Sequence, residues 1–151
     1  NPRRLLFLDS RMEARMVISQ EALEARLAAD RRGPLRLLFS GRYEPIKGAL
    51  DVVQVALACL GRGLDVELHC YGQGSLREEM RRLAATPAAG GRVHVHDAIP
   101  YPALVERSRE FDLFVCCHVQ GDPSCTYLEA FGAGLPIVGY GNTMWRLLCE
   151  A

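Results

Sequence analysis

Short apolar runs alternate with amphipathic stretches along most of this chain. The runs over residues 35–40, 65–71, 92–96, 113–117 and 137–139 have the length and composition of buried strands. Between them lie segments whose apolar residues recur at helical spacing, most clearly over residues 47–60. This alternation predicts an α/β fold of Rossmann-like type, in which helices cover both faces of a doubly wound parallel sheet.

Further helices are predicted over residues 75–84 and 102–109, and in a segment that ends near residue 131. Ser75 and Glu78 have the spacing of a capping box at the start of the first of these helices. Residues 1–33 are less regular, with an apolar run at 5–8, a helix-forming stretch at 21–29 and a linker that ends in a turn. One more helix is expected to begin over residues 144–149.

Length and composition restrict the classes of function. A chain of 151 residues makes one domain with a core, and its formal net charge of zero gives no indication of nucleic-acid binding. No apolar run is as long as a membrane span, and the first residues do not resemble a signal peptide. The 6 cysteines have the spacing of neither a zinc site nor a disulfide framework. We therefore expect a cytoplasmic protein.

Two loops that follow predicted strands have the composition of anion sites. Arg42 and Lys47 come after the first strand, and both would be solvated surface residues if they had no ligand. The second loop leads into the helix that ends near residue 131, where free backbone N–H groups of residues 124–126 point outward. Asp122 or Ser124 can also cap this helix, and both roles can hold together.

The segments LLFSGRYEPIKGALDVV and SCTYLEAFGAGLPIVGYGN resemble the donor-binding region of nucleotide-sugar glycosyltransferases with the GT-B fold. The resemblance is to the large retaining family typified by sucrose and glycogen synthases and bacterial polysaccharide enzymes. That family carries two glutamates separated by seven residues, and Glu129 matches the second of them. Gly121 stands in place of the first glutamate, and Asp122 is the nearest carboxylate. This difference from the family pattern affects the expected contacts with the donor sugar more than those with the nucleotide.

The resemblance implies roles for particular residues. Arg42 and Lys47 would bind the donor diphosphate and stabilise the leaving group, and Glu129 would bind the ribose. The backbone at Ala98 or Ile99 would contact the base. The donor would be a UDP-sugar, without a metal or cofactor. The substrate-binding residues expected on this basis are Gly41, Ile99, Asp122, Ser124, Cys125, Thr126 and Glu129.

The resemblance also implies a domain organisation. Residues 1–33 would form the junction with a preceding acceptor-binding domain, and residues 34–151 would form the donor-binding domain, the C-terminal half of a GT-B fold. The whole protein would be a retaining transferase, and this chain alone would bind a donor without transferring it.

Two other classes of function occur on doubly wound architectures. An epimerase or phosphorylase could use the same architecture. A receiver-type regulatory domain needs acidic residues after the first strand, where this sequence has Ser40, Gly41 and Arg42. His94 and His96 would share one face of a strand, but no third ligand has the spacing of a zinc site, which favours a structural role.

Overall fold

The computed structural model describes residues 11–30, 32–121, 124–143 and 146, and these form one α/β unit. The predicted fold class, a doubly wound Rossmann-like α/β sheet, is confirmed. In chain order the elements are α1 (Gln20–Ala28), β1 (Leu35–Arg42), α2 (Ala49–Gly61), β2 (Val66–Gln73), α3 (Arg77–Ala84), β3 (Val93–His96), α4 (Tyr101–Ser108), β4 (Leu113–Cys116), α5 (Cys125–Gly132) and β5 (Ile137–Gly139).

The five strands pair in parallel in the order β3-β2-β1-β4-β5. The chain thus starts in the middle of the sheet, builds outward to β3, and then crosses back to add β4 on the other side of β1. The point between β1 and β4, where the winding reverses, is where open α/β sheets bind their ligands, beyond the carboxyl ends of the strands.

Both faces of the sheet are buried, as the continuous apolar character of the strands requires. Along β1, Phe39 and Leu38 are both almost fully buried but belong to different core layers. The layer formed with α2 and α3 includes Phe39, Val53, Leu68 and Met80. The layer that contains α5 includes Leu38, Phe111, Phe114, Tyr127 and Leu135.

The helix α2 begins later than predicted. Residues Pro45–Lys47 form a 3-10 turn, and Gly48 follows in the left-handed conformation with φ 59°. A Cβ at Gly48 would lie 1.9 Å from the carbonyl oxygen of Cys117. Only glycine therefore lets the chain turn into α2 while lying against the end of β4.

The capping box predicted at the start of α3 is wrong. Leu76 holds the N-cap position, and Ser75 lies one residue further out. The Ser75 hydroxyl donates to Glu44 Oε2 at 2.6 Å, and its backbone N–H donates to Glu44 Oε1 at 2.9 Å. A carboxylate from the loop after β1 thus takes the place of the local partner, Glu78.

The described part of residues 11–33 packs on the rest of the domain. The backbone N–H of Ile18 donates to the carbonyl of Gly132 at 2.7 Å, and Arg109 Nη2 donates to the carbonyl of Met16 at 3.0 Å. The predicted domain boundary at residue 33 stays a prediction. The apolar run at 5–8 and most of the helix expected over 144–149 lie outside the described residues.

None of the helices in the described part of the chain combines the length and the hydropathy needed to cross a bilayer.

The close approach of Gly48 to β4 gives a stability prediction. We expect Gly48→Ala to lower the free energy of unfolding by about 1–3 kcal/mol or more, because alanine strains the left-handed backbone and its Cβ meets Cys117. Gly61→Ala is the matched control, since a Cβ there meets nothing within 4 Å. Urea denaturation measures both variants, and equal midpoints for Gly48→Ala and the wild type would contradict this account.

Candidate functional site

A cavity of about 270 Å³ lies at the carboxyl edge of the sheet. Its walls come from the ends of β1 and β2, the loop after β3, and one side of α4 and α5. Arg11 closes it from the N-terminal segment. The lining residues are Arg11, Ser40, Gly41, Arg42, Tyr71, Gly72, Gln73, Ala98, Ile99, Tyr101, Leu104, Thr126 and Glu129.

Two glycines form the floor of the cavity between β1 and β2. Gly41 and Gly72 are directly paired in the parallel register. A Cβ at Gly72 would lie 1.9 Å from the carbonyl oxygen of Gly41, so the two strand ends approach more closely than side chains would allow. The backbone is therefore open to a ligand here, which is one of the uses of glycine at a binding site.

Glu129 is the buried charged group of the cavity wall, with an exposed fraction of 9%. Arg11 Nη2 lies 3.4 Å from its Oε1, and the Arg11 guanidinium stacks over the ring of Tyr101 at 4.4 Å. Burial and the nearby Glu129 carboxylate raise the pKa of Tyr101. The Arg11 side chain is 65% exposed, so this ion pair contributes little to stability and a ligand can displace it.

Arg42 and Thr126 bring anion-binding groups to two sides of the cavity. Arg42 is the exposed last residue of β1. Thr126 lies in the first turn of α5, where backbone N–H groups lack partners within the helix. A guanidinium and a helix N-terminus that face one cavity form a site suited to phosphate oxygens.

The start of α5 differs in detail from the prediction. Ser124 is the N-cap residue, but its side chain makes no capping hydrogen bond to the backbone. Its hydroxyl shares a hydrogen bond of 2.8 Å with the Thr126 hydroxyl instead. Asp122, the other predicted cap and site residue, lies outside the described residues.

Neither Lys47 nor Cys125 lines the cavity. Cys125 is the first residue of α5 and precedes Thr126. Burial and the Glu129 carboxylate raise the pKa of the Cys125 thiol, while the charges of Arg11 and Lys47 oppose that shift. A thiol with a raised pKa is protonated at neutral pH and is therefore a poor nucleophile.

Of the nine predicted site residues, the structure brings five to one cavity. These are Gly41, Arg42, Ile99, Thr126 and Glu129. Ser124 is buried beside Thr126, Cys125 begins α5, and Lys47 ends the 3-10 turn that follows β1. The binding and catalytic roles assigned to all nine stay predictions.

Sequence reasoning missed several lining residues. Arg11 belongs to a stretch without a periodic pattern, so no signal in the sequence indicates it. Tyr71 and Gln73 lie at the end of β2, which runs two residues beyond its predicted end. Tyr101 could have been found, because it follows Pro100 at the start of a helix that leaves the carboxyl edge.

A doubly wound α/β domain with an anion-suited cavity at the carboxyl edge of its sheet is the architecture of the Rossmann-like domains of GT-B glycosyltransferases. A family model described as Glycosyl transferases group 1 matches residues 34–144. The chain therefore belongs to the group 1 glycosyl transferase family, and the predicted resemblance is confirmed. Among curated protein sequences, no match to the chain was found.

Solved structures show the same fold. WaaG, a glycosyltransferase involved in lipopolysaccharide biosynthesis, has a TM-score of 0.71 and 21% identity, over 99% of this chain and 42% of that one. Anabaena Alr3699/HepE in complex with UDP and glucose has a TM-score of 0.68 and 14% identity, over 91% of this chain and 38% of that one.

A third structure is the pneumococcal O-GlcNAc transferase GtfA in complex with UDP and GlcNAc. It has a TM-score of 0.64 and 18% identity, over 76% of this chain and 22% of that one. The chain thus spans less than half the length of each of these three proteins.

The hydrogen bonds from Ser75 to Glu44 give a pH-dependent prediction. They hold the pKa of Glu44 below its ordinary value, so their stabilising effect is present above the ordinary carboxyl pKa and is lost as the pH falls through the folded-state pKa. We expect Glu44→Gln to lower the Tm at pH 7 and to differ less from the wild type in acid. Glu106→Gln, on the exposed side of α4, is the control. A Tm difference that does not change with pH would contradict this assignment.

Proposed function

We propose that this chain is the donor-binding domain of a retaining glycosyltransferase. The enzyme would transfer a sugar from a nucleotide diphosphate sugar to a hydroxyl acceptor. The observation that carries the proposal is the position of Glu129, a buried carboxylate in the same cavity as Arg42 and the N-terminal turn of α5. Family membership supports the reaction class, and the HepE and GtfA structures, both in complex with UDP, support a uridine diphosphate donor.

Glu129 is suited to the ribose. A carboxylate accepts hydrogen bonds from two vicinal hydroxyls, and the ring of the nucleoside can then lie along the loop after β3. Ala98 and Ile99 line that side of the cavity, where their backbone groups are available to a base. In this arrangement the ribose hydroxyls replace the weak contact between Glu129 and Arg11.

The diphosphate would lie between Arg42 and the start of α5. In the transfer step, the bond from the anomeric carbon to the phosphate oxygen breaks, and a bond to the acceptor oxygen forms. Negative charge develops on the departing phosphate oxygen, and the acceptor hydroxyl gives its proton to that oxygen as the diphosphate leaves. Arg42, the helix N-terminus and Lys47 would stabilise this charge, which is electrostatic catalysis by groups already in place.

The size of the cavity indicates that it holds part of the donor. Its volume of about 270 Å³ is slightly below the roughly 300–1,000 Å³ of typical ligand pockets. One wall of the site is present, and a second domain would provide the opposite wall and hold the acceptor.

The ribose assignment can be tested by nucleotide affinity. We expect Glu129→Gln to weaken UDP binding about tenfold or more, because hydrogen bonds to a charged group contribute about 1.5–3 kcal/mol. The same variant should bind the 2′,3′-dideoxy analogue almost as the wild type does, since that ligand lacks both hydroxyls. Isothermal titration calorimetry measures both ligands.

Two arginine variants complete this test. Arg42→Ala should weaken both ligands by the same factor, because both carry the diphosphate. Arg62→Ala, beyond the end of α2, should change neither affinity. Equal losses of UDP and dideoxy affinity in Glu129→Gln would remove the ribose role, and unchanged affinity in Arg42→Ala would remove the phosphate site.

The proposed binding of donor and acceptor by two different domains gives a separate prediction. Holding donor and acceptor together contributes about 7–11 kcal/mol to lowering a barrier. We therefore expect this chain to bind UDP and to show no acceptor-dependent release of nucleotide from a UDP-sugar. Robust acceptor-dependent release by the chain would contradict the two-domain proposal. Release that does not need an acceptor would instead favour a hydrolytic or epimerase-type reaction.

A further inference from the structure

A cluster of one glutamate and two histidines lies on the neighbouring strands β2 and β3, next to the cavity but outside it. Glu67 and His69 alternate along β2, and His94 on β3 is the direct register partner of His69. The rings of His69 and His94 are 4.4 Å apart. One ligand atom from each of the three residues lies within 4.8 Å of the others. Of the two histidines considered in the sequence, His94 belongs to this cluster and His96 does not, and the other two members come from β2.

The distances inside this cluster match a metal site. Glu67 Oε1 lies 3.1 Å from His94 Nε2 and 3.3 Å from His69 Nε2. Zinc–nitrogen and zinc–oxygen bonds of about 2.0–2.2 Å place neighbouring ligands of a tetrahedral site about 3.3–3.5 Å apart. Two edges of such a tetrahedron are therefore already formed by the side chains.

The His69 ring is held so that one nitrogen faces the cluster. Its Nδ1 lies 3.1 Å from His96 Nε2, within hydrogen-bonding distance. Its Nε2 is buried, lies 3.3 Å from Glu67 Oε1, and makes no hydrogen bond within the described part of the chain. An imidazole held through one ring nitrogen, with the other nitrogen beside a carboxylate, resembles a metal ligand that is oriented by an outer-shell partner.

A third charged group borders the cluster without entering it. Arg36 Nε lies 4.0 Å from Glu67 Oε2, which leaves the other carboxylate oxygen, Oε1, to the two histidines.

We propose that Glu67, His69 and His94 bind a zinc ion. Two imidazoles and a carboxylate are ligands that zinc prefers, and three protein ligands leave a fourth position for water. The ion would join β3 to β2 beside Tyr71 and His96, whose rings stack at 4.5 Å. Because Tyr71 lines the cavity, zinc would stiffen one of its walls. The proposal does not depend on the nucleotide reaction.

Zinc titration of the chelator-treated chain tests this site. We expect one zinc ion per chain by isothermal titration calorimetry, with the affinity reduced at least about tenfold in Glu67→Gln and in His94→Gln. Glu110→Gln is the matched control, since Glu110 also lies near Arg36, with Oε2 3.9 Å from Nη2, but does not belong to the cluster. His96→Gln should reduce the affinity about 10–100-fold, the usual effect of losing an outer-shell partner.

Two further measurements separate this site from other sources of zinc binding. Saturating zinc should raise the Tm of the wild type and of Glu110→Gln, and leave that of Glu67→Gln unchanged. Cobalt(II) bound in place of zinc should show no thiolate charge-transfer band, which would exclude the cysteines as ligands.

The absence of zinc binding by the folded wild type would overturn the proposal in favour of a plain Glu–His hydrogen-bond network. Equal affinity in Glu67→Gln, His94→Gln and the control, or a thiolate band, would also overturn it.

Discussion

The structure depends on the parallel pairing of β1 with strands on both of its sides. Because β1 is central, the loops after β1, β2 and β3 and the start of α5 all meet at one edge of the sheet. Parallel strands also place every one of these loops at the same end, which is why residues distant in the sequence converge there. Glycines at positions 41 and 72 then allow the strand ends to approach closely enough for backbone groups to form the floor of the cavity.

This constraint also explains the chemical character of the cavity. Glu129 is buried because α5 packs into the core through Tyr127 and Ala130, which places its carboxylate at the cavity wall. Arg42 stays exposed because it ends β1, where the strand leaves the core. The buried carboxylate of Glu129 and the exposed guanidinium of Arg42 thus line a single cavity. In the proposed function they bind two different parts of one nucleotide.

Much of this could be predicted from the sequence, because the relevant signals are local or periodic. The five strands follow from their apolar runs, and β5 has the bounds that were predicted for it. Glu129 could be found because it lies in a segment that resembles a known family. The features that could not be predicted are contacts between distant segments. Glu44 replaces Glu78 as the partner of Ser75, and Arg11 reaches Glu129 across 118 positions of the chain.

The central claim is that the carboxyl edge of the sheet binds a nucleotide diphosphate, and a titration of the isotopically labelled chain with UDP, followed by amide NMR shifts, tests it most directly. The account predicts shifts concentrated at residues 41–42, 72–73, 98–99 and 126–129. Shifts concentrated at the opposite edge, at residues 35–36, 65–66 and 92–93, or a spectrum that does not change at saturating UDP, would contradict it.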